Sequence, residues 1–448
     1  MKKNLVFFSV LIVLLLTLFM FSSCTTKEIT LKDNKGEVFA KVSSAKLEKS
    51  SEYSSYSELV INEAIDIIAD INGCDEEKAE KLLFKNSYTI DTFLDREIFS
   101  SIETAYNKSD VKEIPFGCAV TNLKGGLCAV YSSESKEESN FAITGFSPYS
   151  SLKPLSVYAP AIESGKAYWS KVYEDSPYTQ VENEDGEKSD WPENATGIYY
   201  NKNITVYQAI KESLNTVAVK CLDDYGVLNS IQFLRKNFDM DIKYEYEKAI
   251  NSDESDVIGN MAMGYLYKGL SPVEMSGYYQ IFANGGKYYI PKSINKITDS
   301  NGEVIFTAKD EYKQVISEPT AFIMNELLQG VVQSGGTSAG AKMDDIEVGG
   351  KTGTGIANDC HWFVGFVPQY SCAVWHGGSL VDNYSPQIFK SIMQELKLDE
   401  SVKYPKCREI KQAIYCADSG LLCNENCKRV DMGYYFADEI IEKCKIHQ

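Results

Sequence analysis

Histidine is scarce in this chain of 448 residues, which contains only His361, His376 and His447. All three lie late in the sequence, so a hydrolase built on a serine–histidine–aspartate triad has few candidates for its base. We therefore interpret these histidines as structural. A glycine-rich phosphate loop is also missing, because Gly335-Gly336 and Gly377-Gly378 are typical of turns. These absences argue against a histidine-dependent hydrolase and against a phosphate-binding enzyme.

Positive charge is in short supply as well. The chain carries 45 lysines and arginines against 63 aspartates and glutamates, which gives a formal net charge of -18. Nucleic acid is therefore not an expected partner, and a carboxylate-bearing substrate must be held by local cations such as Lys351. Hydrophobic residues make up 44% and charged residues 24% of the chain. These fractions are ordinary for a large folded protein with more than one domain.

The first residues predict an export signal over residues 1–24. Met1-Lys2-Lys3-Asn4 precedes an apolar run from Leu5 to Phe21, and Ser22-Ser23-Cys24 follows it. This pattern resembles a bacterial lipoprotein signal, in which Cys24 is lipidated after cleavage. An uncleaved anchor is the alternative, because the apolar run is close to the shortest length that spans a bilayer. In both cases the N terminus attaches the protein to the extracytoplasmic face of the bacterial cell membrane.

Ser150 and Lys153 form a candidate catalytic pair at the predicted start of a helix. Residues three apart on a helix share a face, so the Lys153 amine can reach the Ser150 oxygen. A lysine with an ordinary pKa of about 10.4 is protonated at neutral pH and cannot accept a proton. The apolar residues around Lys153 predict burial, which lowers the pKa of an amine. Ser43, Ser109 and Ser133 also stand three residues before a lysine, so this spacing alone is not specific.

Two further motifs follow in order along the chain. The first is Ser213-Leu214-Asn215, whose two polar residues can serve one site only from a turn between helices. The second is the run from Gly350 to Gly355, which is predicted to be a strand. Because the period of a strand is two, its residues Lys351 and Gly353 share one face, and its two threonines, Thr352 and Thr354, share the other. Gly353 is expected to leave room for a substrate backbone.

The serine–lysine, serine–asparagine and lysine–threonine–glycine elements, in this order, resemble the motif set of the penicillin-recognising serine acyl-transferases. Other segments resemble the transpeptidase half of class A penicillin-binding proteins, and the resemblance covers roughly residues 80 to 448. These segments are Trp191-Pro192-Glu193-Asn194 and residues 206–210, 264–286, 361–368 and 373–375. The resemblance implies the family's α/β (α+β) fold, in which an antiparallel sheet lies between layers of helices.

The resemblance also implies a mechanism for a peptidoglycan DD-transpeptidase. Ser150 attacks the carbonyl between two terminal D-alanines, Lys153 takes its proton, and the backbone N–H groups of Ser150 and Thr354 form the oxyanion hole. Ser213 and Lys351 relay a proton to the departing D-alanine, and Asn215 holds the peptide. Lys351, Thr352 and Thr354 bind the terminal carboxylate, and Gly353 is assigned to substrate binding beside them. No cofactor is implied, and no catalytic metal site is predicted.

The implied partners are peptidoglycan stem peptides and β-lactam antibiotics. A DD-carboxypeptidase, in which water replaces the acceptor amine, is the main alternative and uses the same residues. A β-lactamase is disfavoured, because rapid deacylation needs an added base and the chain is longer than such enzymes require. A non-catalytic penicillin-binding sensor or wall-binding protein is the alternative from another class.

The chain after the export signal divides into three predicted parts. Residues 25–110 form a small N-terminal module, residues 111–395 the transpeptidase domain and residues 396–448 a cysteine-rich C-terminal extension. The segment from Tyr88 to Asp95 resembles the junction that follows the glycosyltransferase domain in class A proteins. The interval before it is too short for such a domain. A separate glycosyltransferase is therefore an expected partner.

Periodicity and turn residues predict the local structure. A hairpin is expected over residues 116–132, and the acidic stretch from Glu174 to Glu187 is interpreted as a surface loop. Strands around residues 288, 304, 348 and 363 are expected to form most of the sheet. Helices are predicted over residues 59–71, 76–83, 205–225, 227–238 and 271–283.

Two residues depart from the family pattern near the proposed nucleophile. Tyr149 replaces the glycine expected before Ser150, and Pro160 falls within the helix predicted to carry Ser150 and Lys153. A proline inside a helix removes a backbone hydrogen bond, although position 160 lies beyond the turns that hold the reactive pair. An inactive descendant of the family is therefore an alternative interpretation.

Twelve cysteines in an exported protein predict disulfides, although lipidation of Cys24 leaves an odd number of thiols. Three of them, Cys416, Cys427 and Cys444, together with His447, resemble a cysteine-bearing C-terminal extension of some class A proteins. Cys407 and Cys423 are additional. Zinc binding by these thiols is a second interpretation, and disulfides are favoured because of the export signal.

Overall fold

The computed structural model describes residues 27–44, 52–134, 139–182, 185–252, 255–378 and 382–447. The predicted export signal, with Cys24, lies outside the described residues. Within the described ranges, no helix combines the length and the apolar character needed to cross a bilayer. Attachment to the membrane through the N terminus therefore stays a prediction.

A five-stranded antiparallel sheet, here called the central sheet, organises the larger part of the chain. Its strands, in spatial order, are Gly349–Thr354, Cys360–Phe366, Tyr370–Gly377, Phe116–Asn122 and Leu127–Ser132. Successive side chains of a strand point to opposite faces, and so Trp362 and Val364 pack into one hydrophobic cluster whereas Phe363 packs into another. Both faces of the sheet are therefore buried.

Helices cover both faces of the central sheet. Pro272–Tyr279 and Glu318–Val331 pack on the face of Trp362, and Arg96–Lys108 and Ser385–Glu395 pack on the opposite face. The predicted architecture, an antiparallel sheet between layers of helices, is confirmed. The predicted hairpin over residues 116–132 is confirmed as well, because its two strands are neighbours in this sheet.

The helices agree closely with the periodicity of the sequence. Each predicted helix is present, and the predicted run 205–225 is divided in two by a turn at Ser213 and Leu214. The α-helices of the described residues are Ser54–Asn72, Glu76–Lys85, Arg96–Lys108, Ala159–Glu163, Val206–Glu212, Asn215–Tyr225, Val227–Phe238, Lys243–Asn251, Ser255–Met263, Pro272–Tyr279, Glu318–Val331 and Ser385–Glu395.

The N-terminal residues contribute to a second five-stranded sheet. Its strands, in spatial order, are Val304–Thr307, Ile294–Thr298, Thr89–Thr92, Ile29–Lys32 and Val38–Val42. The prediction that the strands around residues 288 and 304 belong to the central sheet is therefore wrong. Val304–Thr307 lies in the second sheet, and among the described residues Lys287–Tyr288 pairs with Lys313–Gln314 alone. Ile294 and Ile297 are fully buried against the N-terminal helices, which explains this placement. The predicted module over residues 25–110 thus folds together with strands from the later chain.

The acidic stretch from Glu174 to Glu187 is more regular than the predicted loop. Thr179–Glu182 and Lys188–Trp191 pair as an antiparallel hairpin, and Val172–Glu174 pairs with Asn203–Thr205. Most side chains of the hairpin are exposed, which is why its acidic composition resembles that of a loop.

The C-terminal extension also forms an antiparallel hairpin, from Ile410–Cys416 and Val430–Phe436, here called the tail hairpin. The predicted disulfides are wrong for the described residues, because all of their cysteines are free thiols. Cys118 and Cys372 lie on adjacent strands with their sulfur atoms 3.8 Å apart, well beyond a bonded S–S distance of about 2.05 Å. Three cysteines of the tail, Cys416, Cys427 and Cys444, instead gather around His447.

Candidate active site

Ser150 lies in a single 3₁₀ turn, Tyr149–Leu152, here called the nucleophile turn. A π-helical turn, Pro154–Tyr158, and the short helix Ala159–Glu163 follow it. The single helix predicted to carry Ser150 and Lys153 is therefore three short helical pieces. Pro160 lies near the start of the last piece and directly follows the π-helical turn, beyond the turn that holds Ser150 and Lys153. This departure from the family pattern does not disturb the reactive pair.

Tyr149 explains why a glycine is expected before the nucleophile. Its φ of 49° lies in the left-handed region, which glycine adopts without strain and tyrosine does not. The Tyr149 N–H donates to the carbonyl of Gly264 over 3.1 Å. A Cβ at Gly264 would lie only 2.1 Å from the Tyr149 oxygen. The nucleophile turn is thus held in a strained conformation by close backbone packing.

Ser213 ends one helix and Asn215 begins the next. Ser213 adopts a left-handed conformation with a φ of 61°, and Leu214 is extended. The N–H of Leu214 closes the turn by donating to the carbonyl of Ala209 over 3.0 Å. The predicted turn between helices is therefore confirmed.

Lys153 is fully buried and joins the nucleophile turn to this second motif. Its Nζ donates to the carbonyl oxygen of Ser213 over 2.9 Å and to Asn215 Oδ1 over 2.7 Å. A longer contact of 3.5 Å reaches the carbonyl of Leu214. Burial lowers the pKa of Lys153 well below its usual value, and the nearby Lys351 amine lowers it further. Lys153 therefore has the buried position and the lowered pKa that favour a proton acceptor.

Lys351 approaches the same point from the edge of the central sheet. It is fully buried, and its Nζ donates to Ser213 Oγ over 2.7 Å. Burial lowers the pKa of Lys351 to about 7. No carboxylate forms an ion pair with either lysine in the described part of the chain. Because the two amines lie close together in one buried site, the charge of one disfavours the protonated form of the other.

The strand Gly349–Thr354 lies at the open edge of the central sheet, beside the nucleophile turn. Thr352 is buried and its hydroxyl lies 3.1 Å from that of Thr337, whereas Thr354 is exposed. A Cβ at Gly353 would lie 2.3 Å from the carbonyl oxygen of Pro148. Gly353 therefore makes room for the nucleophile turn, and its predicted role in leaving room for a substrate backbone stays a prediction.

The main chain at Thr354 faces the open edge of the sheet. Gly355 donates its N–H to the carbonyl of Cys360 over 2.7 Å. Hydrogen-bonded pairs alternate along an antiparallel ladder, so the pair of Thr354 and His361 is not hydrogen-bonded. The N–H of Thr354 is consequently directed away from the neighbouring strand and can bind a ligand.

Sequence reasoning missed a supporting network beneath Asn215. Asn194 is buried, and its Oδ1 accepts from the N–H of Asn215 over 2.8 Å. Its Nδ2 donates to Asp175 Oδ1 over 2.8 Å, and Asp175 also accepts from the Thr216 hydroxyl and from the N–H of Tyr200. The sequence offers one signal for this network. The segment Trp191–Asn194 resembles the corresponding segment of the family, although the resemblance gives it no role.

The histidines lie outside this cluster, as far as the described residues show. His361 and His376 stack in the central sheet with ring centroids 4.6 Å apart, and burial lowers the pKa of His376 to about 4. The structure thus gathers Lys153, Ser213, Asn215 and Lys351 around one point beside Ser150, and the chemistry available there depends on amines and hydroxyls.

Residues 117–394, more than half of the chain, match the family model of the penicillin binding protein transpeptidase domain. The chain belongs to this family. Penicillin-binding protein 1A of Clostridium botulinum strain Hall is 36% identical over 262 residues, which make up 56% of this chain and 30% of that protein. Penicillin-binding protein 4 of Bacillus subtilis strain 168 is 28% identical over 378 residues, 78% of this chain and 56% of that protein. The chain therefore spans less than two thirds of the length of these relatives.

Solved structures support the same fold. The D,D-transpeptidase domain of a peptidoglycan glycosyltransferase from Eggerthella lenta has a TM-score of 0.63 and 18% identity, and the match covers 83% of this chain and 98% of that chain. PonA1 of Mycobacterium tuberculosis, in complex with penicillin V, has a TM-score of 0.63 and 20% identity over 78% of this chain and 95% of that chain. The predicted penicillin-binding transpeptidase fold is confirmed.

Proposed function

We propose that this protein is a peptidoglycan DD-transpeptidase that forms peptide cross-links through an acyl-enzyme on Ser150. The observation that carries the proposal is the position of the buried Lys153 amine, one helical turn from Ser150 and bound to the Ser213-Leu214-Asn215 turn. Family membership supports the same activity.

Lys153 is the proposed general base. A neutral amine has two N–H groups, and the carbonyl of Ser213 and the side chain of Asn215 accept both of them. Its lone pair is then left for the Ser150 proton. Ser150 and Lys153 are not hydrogen-bonded in the described residues, as is common in unliganded sites whose catalytic contacts tighten on binding substrate.

The acylation step follows from this arrangement. Ser150 Oγ attacks the carbonyl carbon of the D-Ala-D-Ala amide while its proton passes to Lys153. The N–H groups of Ser150 and Thr354 stabilise the oxyanion, and the outward direction of the Thr354 N–H supports this role. When the C–N bond breaks, Ser213 Oγ protonates the departing amine, and the adjacent Lys351 Nζ supplies a proton to Ser213. An amine of a second stem peptide then attacks the ester carbonyl and forms the cross-link. Its proton passes through Ser213 back to Lys351, and the proton held by Lys153 returns to Ser150 Oγ as the ester C–O bond breaks.

Substrate binding is assigned to the second motif and to the edge strand. Asn215 Nδ2 donates one N–H to the carbonyl of Glu193 over 2.7 Å, so its second N–H is available for a peptide carbonyl. The Lys351 cation and the hydroxyls of Thr352 and Thr354 bind the terminal carboxylate. The open edge of the strand offers the substrate backbone main-chain partners.

The protein acts on the extracytoplasmic face of the membrane, attached through Cys24 or through an uncleaved N-terminal anchor. A separate glycosyltransferase supplies the glycan strands that this protein cross-links, and membership of the penicillin-binding protein family supports such a partner. Metabolic labelling with a fatty acid tests the anchor: Cys24→Ser abolishes labelling of a lipoprotein, whereas an intact Met1 in the membrane fraction establishes the uncleaved anchor.

A single assay tests the activity. The purified protein is given a soluble D-Ala-D-Ala stem peptide with and without an acceptor amine, and released D-alanine and cross-linked product are both measured. Cross-linked product supports the transpeptidase. D-alanine release without cross-links would favour the carboxypeptidase, and binding of penicillin with neither product would favour the sensor.

A further inference from the structure

Four potential metal ligands meet in the C-terminal extension, far along the chain from the candidate active site. They are the thiols of Cys416, Cys427 and Cys444 and the imidazole of His447, and their ligand atoms all lie within 4.8 Å of one another. Cys416 and Cys444 are buried, whereas Cys427 and His447 are partly exposed. An ion can therefore enter from solvent and be held against the protein interior.

The distances fit a tetrahedral zinc ion. With Zn–S of about 2.3 Å and Zn–N of about 2.05 Å, tetrahedral geometry places a sulfur and a nitrogen ligand about 3.6 Å apart. His447 Nδ1 lies 3.4 Å from Cys416 Sγ and 3.5 Å from Cys444 Sγ. A disulfide would instead join two thiols and leave the third thiol and the histidine without a function.

The surroundings orient the ligands as metal sites require. While His447 Nδ1 faces the thiols, its Nε2 lies 3.5 Å from Asp418 Oδ2, and Arg429 holds that carboxylate over 2.8 Å. A carboxylate behind a ligating histidine fixes its tautomer and raises its basicity. The N–H of Asn424 also points at Cys427 Sγ over 3.4 Å.

The backbone brings the three ligand-bearing segments together without a covalent cross-link. Cys444 donates its N–H to the carbonyl of Leu422 over 2.7 Å, and Leu422 donates to the carbonyl of Glu442 over 2.9 Å. The side chain of Asn424 donates to the carbonyls of Cys444 and His447 over 2.9 and 2.8 Å. The last residues are thus fixed against the loop that holds Cys427.

We propose that Cys416, Cys427, Cys444 and His447 bind one structural zinc ion that fixes the C-terminal extension. All four tetrahedral positions are occupied by protein ligands, which is the pattern of structural and not catalytic zinc. Each thiol that is not already ionised releases a proton when it binds the metal.

The tail hairpin carries Cys416, one of the proposed ligands. It packs, through Trp169, towards the helix Val206–Glu212, and Ser213 follows the end of that helix. Tyr434 meets the Trp169 ring edge-to-face at 5.1 Å, and Trp169 stacks on Tyr207 at 4.9 Å. Tyr207 belongs to the helix Val206–Glu212. The Tyr435 hydroxyl lies 2.9 Å from Ser170 Oγ, which donates to the carbonyl of Gly420. Loss of the metal is therefore expected to destabilise the C-terminal extension before the rest of the protein.

The test measures metal in the full chain, purified under reducing conditions from zinc-supplemented cells. Elemental analysis and native mass spectrometry are expected to find about one zinc per chain, and cobalt exchanged into the site should give thiolate-to-cobalt charge transfer with the visible bands of tetrahedral Co²⁺. Cys444→Ser and His447→Gln should lose the metal. The matched control Cys423→Ser removes a nearby thiol outside the cluster and should retain it.

A second variant separates metal binding from failure to fold. Asp418→Asn leaves all four ligands in place and should weaken zinc affinity by roughly 10- to 100-fold in a competition assay with a chelating dye. A full chain without zinc that gives no cobalt spectrum would overturn the proposal. A disulfide among the three thiols, found by peptide mapping of a second sample that is alkylated at lysis and never reduced, would also overturn it. Equal loss of zinc in Cys423→Ser and Cys444→Ser would do the same.

Discussion

Lys351 Nζ lies 2.7 Å from Ser213 Oγ, although the two residues come from an edge strand and from a turn between helices 138 positions earlier in the chain. On the other side of the same turn, Lys153 Nζ binds the Ser213 carbonyl. The three sequence motifs thus meet through one residue, with an amine on each side of it. This arrangement places Lys153, the proposed proton acceptor of the first step, on one side of Ser213. It places Lys351, the proposed proton donor for the departing amine, on the other side.

Ser150→Ala is expected to abolish covalent labelling by a fluorescent penicillin, because it removes the proposed nucleophilic oxygen. The matched control is Ser151→Ala, since the neighbouring hydroxyl is buried and donates to the carbonyl of Pro148 over 2.5 Å. This control should still be labelled. Intact-mass analysis and peptide mapping locate the adduct, and an adduct that persists in Ser150→Ala would show that the nucleophile is wrongly assigned.

Lys153→Ala is expected to slow acylation by at least about 100-fold, the usual cost of losing a general base. The protein should remain folded, because the substitution removes a buried amine that has no carboxylate partner among the described residues. Stopped-flow labelling gives the rate, and circular dichroism checks the fold. The exposed Lys166→Ala is the control, and near-normal acylation by a folded Lys153→Ala protein would contradict the assignment.

Lys351 is expected to make stability depend on pH. Its pKa is about 7 in the folded protein and about 10.4 in the unfolded chain, so the unfolded chain binds more protons between these values. Stability therefore rises with pH across this window, and the destabilisation by Lys351 is complete below pH 7. The difference in Tm between Lys351→Met and wild type should be largest near pH 6 and should shrink towards pH 10.

Differential scanning fluorimetry over this pH range measures that difference, with the exposed Lys236→Met as control. A Tm difference that stays constant with pH for Lys351→Met would show that the folded amine is not desolvated. Penicillin labelling of the same variant should fall, because the proposed carboxylate-binding cation is lost.

Some of this site could be predicted from the sequence, for physical reasons. Two residues at positions i and i+2 cannot share a helix face, which correctly required a turn at Ser213-Leu214-Asn215. The strand period correctly placed Lys351 and Gly353 on one face, but it could not show that Gly353 packs on Pro148. That contact depends on how two distant segments approach each other.

The N-terminal sheet illustrates what local patterns leave out. Thr89–Thr92 pairs with Ile294–Thr298, about 200 residues later, and nothing in either short segment specifies its partner. The tail thiols are a similar case, because export favoured disulfides whereas their convergence on His447 became evident only from tertiary structure. The buried Asn194 network was missed for the same reason.

Asn194→Ala is expected to slow acylation although Asn194 has no proposed contact with substrate. Asn194 joins the N–H of Asn215 to the Asp175 carboxylate, so its loss leaves the N–H of Asn215 without this acceptor and removes one of three donors to the buried Asp175. A buried polar group without its partner costs about 1–3 kcal/mol, and the Tm should fall accordingly. A displaced Asn215 side chain would misorient the Lys153 amine, for which we expect a rate loss of roughly 10- to 100-fold.

Asn194→Asp makes this prediction sharper. Aspartate can still accept from the N–H of Asn215, but it places a second carboxylate against Asp175 and cannot donate to it. It should therefore fail to rescue the rate at neutral pH and recover partly at lower pH, as one carboxylate becomes protonated. The exposed Gln180→Ala, on the neighbouring hairpin, is the control. Normal acylation kinetics in both Asn194 variants, with only the Tm reduced, would show that the network supports the fold and does not position Asn215.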